Sequence, residues 1–425
     1  MMQPELTIRP EGGAERETTD PPEGAPATPL TRPGPPDPPT TWVRRHRKMI
    51  IITATVAALL LPVGWSYVAA VTRPSNQSLG VRSVEWLKDN HLRWLVNDIE
   101  NFWYNHHKPK KGGAPKVPLA GPTHPGPGPD GNPLGWATTA PSLKHLPPPP
   151  AIVPIVQHPL PGEGEWHPLG QAVNGIPAMY SAYLRPDPVY TSVVTGVAWM
   201  DPMLTRAALY AGVQDPGGSA WRYRAPVALA DRPDLLAAFN SGFRLKDSSG
   251  GWYAEGRVVR QLRAGAATLV IHPDGTPMIG MWGRDVQMGP DVAYARQNLL
   301  LIVDGGQPVP GLDTDSLSKW GATLGNKVLV WRSGLGITAN GALVYAGGSY
   351  LSASSLARVL AHAGAVRAME LDINSTWVAY FTFAPAPPGI PPGDLAVTKL
   401  LPDMRAPTSK FFSAEARDFI AIFRR

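Results

Sequence analysis

Residues 328–373 read VLVWRSGLGITANGALVYAGGSYLSASSLARVLAHAGAVRAMELDI, and this stretch decides the fold. Its two apolar runs Leu335–Thr338 and Ala342–Ala346 are separated by Asn340-Gly341. An Asn-Gly pair readily adopts the positive φ angles that a two-residue hairpin turn requires. The stretch therefore predicts two antiparallel strands joined by a tight turn.

A helix and a further strand are predicted after this hairpin. Ser352 or Ser354 can cap the first turn of the helix, and Gly364 ends it. Three apolar residues between them share one helical stripe: Leu356, Val359 and Leu360. The run Val366–Ile373 then has the composition of a strand. The segment thus predicts a strand–helix–strand unit.

Short apolar runs split by Gly, Pro and Asp-Gly extend this pattern back to about residue 165. They predict further strands at Tyr190–Met200, Leu235–Phe239, Ala267–His272, Met278–Trp282, Leu299–Val303 and Val328–Trp331. Asp274-Gly275 marks a second hairpin turn. Hairpins combined with one strand–helix–strand unit predict an α+β domain with a mixed or antiparallel sheet over residues 165–425. No glycine-rich phosphate loop follows a strand, so nucleotide binding is not indicated.

A membrane span is predicted before this domain. Met49–Val71 contains no charged residue over 23 positions, and at about 1.5 Å per residue such a helix crosses the hydrocarbon core. Because the basic run Arg44–Lys48 precedes it, the positive-inside rule places the N-terminus in the cytoplasm. The prediction is a single-pass protein of a bacterial cell membrane with an extracytoplasmic C-terminal domain. A cleaved signal peptide, cut at Val68-Ala69-Ala70, is the alternative.

Proline and charge define the remaining segments. Residues 1–48 hold 11 of the 49 prolines and seven acidic side chains, a composition typical of a disordered cytoplasmic tail. Residues 72–108 contain the predicted amphipathic helix Ser83–His107, which would lie either at the membrane interface or on the domain. The Pro/Gly-rich residues 109–164 predict a stiff, extended linker.

Composition excludes several classes of function. The chain has no cysteine, which excludes disulfides, cysteine–zinc sites, iron–sulfur clusters and a cysteine nucleophile. Its net charge is +6, but only 17% of its residues are charged and the domain has no Lys/Arg run typical of a nucleic-acid groove. No nucleic-acid partner is predicted. A basic surface suits anionic lipid or a phosphate-containing polymer better.

Four segments of the domain resemble the phosphodiester glycosidase family, including its bacterial exported members. They occur in the family's order: Ala238–Phe243, Leu299–Val309, Arg332–Gly341 and Leu351–Asp372. The agreement covers about residues 235–385 and is more specific than any one segment. The resemblance implies a glycosidase that hydrolyses a sugar-1-phosphodiester bond. With the predicted anchor, the partner would be a cell-envelope glycan or phosphate-containing polymer.

The chain departs from the family in the loop after Asp372. Ile373-Asn374-Ser375 stands there, where the family has glycines and a serine. Asn240 is followed by Ser241 rather than glycine, and Arg332 precedes serine rather than threonine. These departures favour an alternative function, a non-catalytic module that binds or scaffolds anionic cell-wall polymer.

The implied reaction needs a carboxylate that activates water or attacks the anomeric carbon. Asp372, at the end of the last predicted strand, is the first candidate, and a turn or loop cap is its alternative. Glu370 is the second, because residues two apart on a strand face the same side and can form an acid–base couple. A salt bridge or a metal-type cluster is the alternative for Glu370.

The implied reaction also needs groups that hold the phosphate and the sugar. Arg332 is the candidate phosphate clamp, since a guanidinium grips two oxygens at once; its alternative is a salt bridge to Asp372 or Glu370. Three further residues are candidates for binding substrate: Asn240 and Asp304, each with a turn role as its alternative, and Asn374. Trp377 and Tyr380 form either a sugar-stacking wall or part of the core. No cofactor or metal site is predicted, and a divalent cation stays open.

Overall fold

The computed structural model describes residues 39–92, 109–115, 117–119, 144–314, 317–321, 328–386 and 394–425. The helices within these ranges are α1 (Pro39–Thr72), α2 (Leu79–Asp89) and α3 (Ala353–His362), with short 3-10 helices at Leu229–Asp234, Leu317–Trp320 and Lys410–Phe412. The chain divides into two compact units, residues 1–64 and 65–425. All the strands belong to the second unit.

The described strands form four sheets. They are β1 (His167–Pro168), β2 (Ala172–Val173), β3 (Ile176–Pro177), β4 (Met179–Leu184), β5 (Thr195–Met200), β6 (Thr205–Tyr210), β7 (Leu235–Asn240), β8 (Trp252–Ala254), β9 (Arg257–Arg260), β10 (Ala267–Ile271), β11 (Pro277–Met281), β12 (Tyr294–Gln297), β13 (Leu301–Asp304), β14 (Gln307–Pro308), β15 (Val330–Thr338), β16 (Leu343–Leu351), β17 (Ala365–Glu370), β18 (Tyr380–Pro385), β19 (Leu395–Lys399) and β20 (Phe419–Arg424). The sheet orders are β1-β4-β5-β16-β15-β17-β13-β14, β11-β10-β12-β8-β9, β19-β18-β7-β20-β6 and β2-β3.

The pairing between neighbouring strands is antiparallel, which confirms the predicted fold class. The predicted Asn-Gly hairpin joins β15 to β16, with Ile337 opposite Leu343 and Gly341 at a φ of 86°. The predicted strand–helix–strand unit is β16–α3–β17, in which α3 crosses over β15. The two runs predicted at Val328–Trp331 and Leu335–Thr338 form the single strand β15, because Ser333 and Gly334 continue the pairing.

Helix α3 packs on one face of the eight-stranded sheet. Ser352 caps it in a reciprocal capping box with Ser355. A Cβ atom at Gly334 would lie 2.8 Å from Leu360, so the glycine allows the helix to approach the strand closely. The opposite face of the sheet contributes Leu335 and Tyr345 to a core shared with the other two large sheets.

Part of the predicted linker packs on the domain. Ile152 is 2% exposed and lies in the same apolar cluster as α3. The side chain of Glu163 is fully buried and accepts a hydrogen bond from Arg185 at 2.7 Å. The sequence predicts only an extended linker for residues 144–164 and does not predict this packing. An extended, proline-rich chain can lie along the surface of a domain without showing any apolar periodicity of its own.

The segment after α1 also differs from the prediction. Helix α2 begins at Leu79 with Ser78 as its cap, whereas Ser83 donates to the carbonyl of Leu79 within the helix. Residues 93–108 of the predicted helix lie outside the described residues, as does most of the predicted tail. Helix α1 includes the predicted span and is, over Arg44–Thr72, long and apolar enough to cross a membrane; a signal sequence has the same features.

Candidate functional site

A small polar pocket lies where β7 and the first residue of β20 meet the loop after β17. It is lined by Asn240, Ser241, Gly242, Asp372, Trp377, Lys410, Glu415, Arg417, Asp418 and Phe419. Its volume of about 10 Å³ is the room that one water molecule occupies. Pairing of Asn240 with Phe419 across β7 and β20 brings residues 415–419 against the loop that carries Asp372. Two predicted site residues, Asn240 and Asp372, thus share the pocket.

Asp372 is the carboxylate at the centre of this site. It is 2% exposed, its Oδ1 accepts a hydrogen bond from the backbone of Asn374 at 2.9 Å, and its Oδ2 lies 2.6 Å from Nη1 of Arg417. Burial raises the pKa of Asp372 above its ordinary value, and the positive charge of Arg417 acts in the opposite direction. A buried carboxyl with a raised pKa beside a specific cation is typical of an acid–base group.

Arg417 was not predicted from the sequence. Its second nitrogen, Nη2, lies 2.9 Å from Oε1 of Glu85 in α2, and its guanidinium lies 3.7 Å from the ring centre of Trp377. The Nε–H of Arg417 is buried and has no hydrogen-bond partner. The guanidinium therefore connects Asp372 to helix α2 and keeps one donor available.

Lys410 is a second cation on the pocket wall, also missed from the sequence. It is 2% exposed, and its Nζ lies 2.8 Å from Oε2 of Glu415 and 4.7 Å from the ring centre of Trp377. With Arg417, it places two cations over one indole ring, an arrangement that stabilises both. The ring of Trp377 is occupied by cations, and Tyr380 is buried and stacked on Phe239. Core packing, rather than a sugar-stacking wall, is the observed arrangement of these two aromatic residues.

Asp418 forms the back of the pocket. Its Oδ2 lies 2.6 Å from Nε of Arg296 and accepts a 3.3 Å hydrogen bond from the indole of Trp252. Both members of the ion pair are nearly fully buried. Because its charge is compensated by Arg296, Asp418 fixes the position of β20 rather than offering a free carboxylate.

Asn240 uses its whole side chain within the protein. Its Oδ1 accepts from the backbone of Ala379 at 3.1 Å and from the hydroxyl of Tyr345 at 3.2 Å. Its Nδ2 donates to the carbonyl of Ser241 at 2.9 Å and to the hydroxyl of Ser333 at 3.0 Å. These four bonds satisfy both lone pairs and both N–H groups of an amide. Asn240 therefore connects the strands around the pocket, and its predicted contact with sugar hydroxyls would cost one of these bonds.

Arg332 and Glu370 form a buried ion pair with each other. Both side chains are at most 1% exposed. Arg332 also donates to the carbonyls of Leu351 and Trp320. Burial raises the pKa of Glu370, and Arg332 opposes that shift. Of the alternatives for Arg332, the salt bridge to Glu370 is the one observed, and neither residue lines the pocket.

This placement differs from the predicted roles of both residues for a physical reason. β17 ends at Glu370, but Ser333 still exchanges backbone hydrogen bonds with Leu371 and Asp372, and the charge of Asp372 contributes to the raised pKa of Glu370. The two carboxyl groups nevertheless pair with different cations, Arg332 for Glu370 and Arg417 for Asp372.

Asp304 and Asn374 do not line the pocket either. Asp304 lies in a partly exposed cluster, with hydrogen bonds of 2.7 and 2.9 Å from Arg284. Those bonds lower the pKa of Asp304. The side chain of Asn374 accepts from the backbone of Thr376 at 2.9 Å. Asn374 therefore forms a turn and shapes the loop that holds Asp372.

Three buried polar groups of the pocket residues lack hydrogen-bond partners. They are Ser241 Oγ, Trp377 Nε1 and Arg417 Nε. Buried polar groups are normally satisfied by protein or water, so such a concentration indicates a place for a polar ligand. Throughout the described residues, no group of three or more His, Cys, Asp or Glu side chains is arranged to hold a metal ion.

The comparisons with known proteins concern the fold. No protein-family model matches the chain, and no curated protein matches it. Among solved structures, the chain is similar to the catalytic domain of zebrafish N-acetylglucosamine-1-phosphodiester alpha-N-acetylglucosaminidase, auto-inhibited by its pro-peptide. The identity is 17%, the match covers 61% of this chain and 88% of that one, and the TM-score is 0.39.

Two other solved structures are similar to the chain at 12% identity. A hypothetical protein from Synechocystis matches 61% of this chain and 64% of its own length, with a TM-score of 0.33. A protein of Burkholderia pseudomallei K96243, described as exported, matches 56% of this chain and 76% of its own length, with a TM-score of 0.32. All three likenesses are distant, so the roles of individual residues rest on the geometry of this chain.

Proposed function

We propose that this protein is a membrane-anchored, extracytoplasmic glycosidase that hydrolyses a sugar-1-phosphodiester bond in a cell-envelope glycan or phosphate-containing polymer. The observation that carries the proposal is the ion pair between Asp372 and Arg417 on the wall of a pocket with unpartnered polar groups. The four segments that resemble phosphodiester glycosidases support the same reaction, since Asp372 ends one of them. Helix α1 would supply the anchor, with residues 49–71 in the membrane.

Asp372 would act on the anomeric carbon, either through an activated water molecule or as the attacking group. The bond broken joins the anomeric carbon to the phosphate oxygen, and the group that leaves is a phosphomonoester, a weakly basic anion, so the second carboxylic acid that most glycosidases use matters less here. The other two carboxylates of the pocket, Glu415 and Asp418, are each committed to a buried cation. Asp372 pairs with the more exposed Arg417, which makes it the carboxylate best placed to change partner or protonation.

Cations at the pocket would hold the phosphate. Arg417 has an unpartnered Nε–H, and a guanidinium binds phosphate through two parallel hydrogen bonds. Lys410 adds a second positive charge on the same wall. The sequence predicts phosphate binding by Arg332, whereas this proposal assigns it to Arg417.

A binding or scaffolding module for anionic wall polymer is the second candidate. It is favoured by the pocket volume of about 10 Å³, which does not admit a sugar ring in this conformation. Under this function, the cations would hold the polymer phosphate, and Asp372 would only position Arg417.

A test of turnover separates the two functions. The full-length chain in detergent micelles would be incubated with a panel of sugar-1-phosphodiesters while the release of free sugar is followed. The glycosidase predicts sugar release that Asp372→Asn abolishes and Glu165→Gln preserves, because Glu165 is exposed and lies outside the pocket. Binding of the same compounds without release by any of the three proteins would support the binding module.

A further inference from the structure

The segment that follows the membrane helix docks beside the pocket. Asn76 donates through its side chain to the carbonyl of Lys410 and to Oε2 of Glu415, both at 3.0 Å. Its backbone N–H donates to the carbonyl of Ala414 at 3.0 Å. Lys410 and Glu415 both line the pocket. The juxtamembrane segment is therefore in direct contact with the wall of the site.

Helix α2 continues this contact through its acidic residues. Oε1 of Glu85 lies 2.9 Å from Nη2 of Arg417, and Oε2 of Glu85 lies 3.1 Å from Nη1 of Arg244. Asp89 adds contacts to Arg244 at 3.1 Å and to Lys246 at 2.5 Å. One carboxylate thus lies between two guanidinium groups, and one of those groups also binds Asp372.

Nε of Arg244 is bonded to Asp247 at 2.7 Å, so the donors that a phosphate in place of Glu85 would use are the Nη groups of Arg244 and Arg417. The side chains of Arg244 and Arg417 are 13% and 12% exposed, so their charges are poorly screened by water. Arg417 also keeps a buried Nε–H without a partner, close to the unpartnered, 98% buried side chains of Trp377 and Ser241 in the same pocket wall. With Glu85 bound, the polar groups of Arg417, Trp377 and Ser241 therefore still lack hydrogen-bond partners.

We propose that Arg244 and Arg417 form an anion subsite beside Asp372, and that the carboxylate of Glu85 fills it until a phosphate or phosphodiester displaces it. This inference rests on the proposed function, because it assigns the subsite to the phosphate of the substrate. Displacement of Glu85 releases α2 from the pocket wall. Substrate binding and release of the juxtamembrane helix are then one event, and the small volume of the pocket belongs to the closed arrangement.

The contacts that hold α2 are of the kind that a stronger anion can replace. The side chains of Glu85 and Asp89 are 25% and 39% exposed, and partly exposed ion pairs contribute little to stability. Inorganic phosphate carries more charge than one carboxylate and accepts bonds through more oxygens, whereas a phosphodiester matches the carboxylate in charge and in its two free oxygens. Arg417 has an additional donor to offer it.

Inorganic phosphate is the probe for this subsite. Calorimetric titration of the full-length chain in detergent micelles measures its affinity, and hydrogen–deuterium exchange reports the protection of residues 79–90. We expect Glu85→Gln to tighten phosphate binding by about 3–10-fold, the equivalent of one or two partly exposed ion pairs. Arg244→Gln and Arg417→Gln should each weaken binding, while Glu165→Gln is the matched control for Glu85→Gln. Phosphate should speed exchange in α2 of the wild-type chain.

The outcomes separate this inference from the proposed function. Unchanged phosphate affinity in Glu85→Gln, or phosphate binding that leaves exchange in α2 unchanged, overturns the subsite even if sugar release is observed. Phosphate binding that tightens in Glu85→Gln and loosens α2 supports the subsite even if no sugar-1-phosphodiester is cleaved, in which case only the hydrolytic function fails. Melting curves of Arg244→Gln establish that its loss of binding is not a loss of fold.

Discussion

Arg417 Nη1 lies 2.6 Å from Oδ2 of Asp372, and this ion pair joins two parts of the chain that are 45 residues apart. Asp372 lies two residues after the end of β17, whereas Arg417 lies two residues before the start of β20. Contacts of Arg417 with Trp377 and Glu85 fix the guanidinium from two further sides. The pair therefore depends on the packing of β20 against β7 as much as on either residue.

Replacement of Asp372 by Asn should remove activity without unfolding the protein. Asn keeps the size and an acceptor for the Asn374 backbone but loses the charge that activates water, so sugar release should fall by about 100-fold or more. Arg417 keeps Glu85 as a counter-charge after this change, and burial disfavours the charged form of Asp372, so the loss of the ion pair is offset in part. The melting temperature should stay within a few degrees, roughly the effect of 1–2 kcal/mol. A variant that melts far lower with turnover intact per folded molecule would assign Asp372 to structure.

Removal of Arg417 should move the acidic limb of the pH–activity profile to higher pH. Activity that needs ionised Asp372 declines as pH falls through the pKa of that group, which burial already raises. Because Arg417 lowers this pKa, Arg417→Met should raise it further. Profiles of kcat/KM on the residual activity measure the limb, and Arg260→Met in β9 is the control. If the acidic limb of the kcat/KM profile stays at the same pH in Arg417→Met, a group other than Asp372 controls it.

The fold around the site was predictable because its signals are local. An Asn-Gly turn, a serine cap and an apolar stripe specify β15, β16 and α3 within about thirty residues of sequence. Strands β6, β18 and β20 were not predicted, although all three are well buried. β6 pairs with β20, and β7 pairs with β18 and β20, across long separations in the chain, and a buried apolar run does not reveal its partner.

The same limit applies to the candidate site. Asp372 and Asn240 were selected as candidates because they lie in segments that resemble the family, and both line the pocket. Arg417 and Lys410 reach it only through the pairing of β20 with β7, and no turn or periodicity marks them. Glu370 was placed with Asp372 by strand alternation, but each of the two carboxyl groups pairs with a cation of its own, which no local pattern displays. Register and strand ends are properties of the folded chain that one sequence does not display.

Glu370→Gln should reduce stability more than chemistry. The change leaves the buried guanidinium of Arg332 without its counter-charge, and loss of one partner of a buried ion pair costs about 3–5 kcal/mol. Neither residue lines the pocket, so turnover per folded molecule at low temperature should persist. The double variant Glu370→Leu/Arg332→Met should recover part of the stability, since an apolar pair has no charge to desolvate. Arg332→Lys with normal melting and lost turnover would instead support the phosphate clamp.

The anchor and topology give a prediction that does not depend on the chemistry. The basic run Arg44–Lys48 precedes the apolar span, so the domain should face outward. Protease added to intact cells should remove the domain and protect a tag at the N-terminus. A mature protein that lacks residues 1–70 would favour the signal-peptide alternative.

Truncation before residue 165 should destabilise the domain, because residues 144–164 complete its core. A chain that starts at Glu165 loses Ile152 from the cluster beneath α3 and leaves the guanidinium of Arg185 without Glu163, its fully buried partner. Loss of that partner alone costs about 3–5 kcal/mol. The matched comparison is a chain that starts at Lys144 and keeps both contacts, with Glu163→Gln in the full chain as the single-residue equivalent. We expect the shorter chain and Glu163→Gln to melt cooperatively but at a markedly lower temperature. Equal melting temperatures for these two proteins, the chain that starts at Lys144 and the wild-type chain would mean that residues 144–164 act only as a spacer.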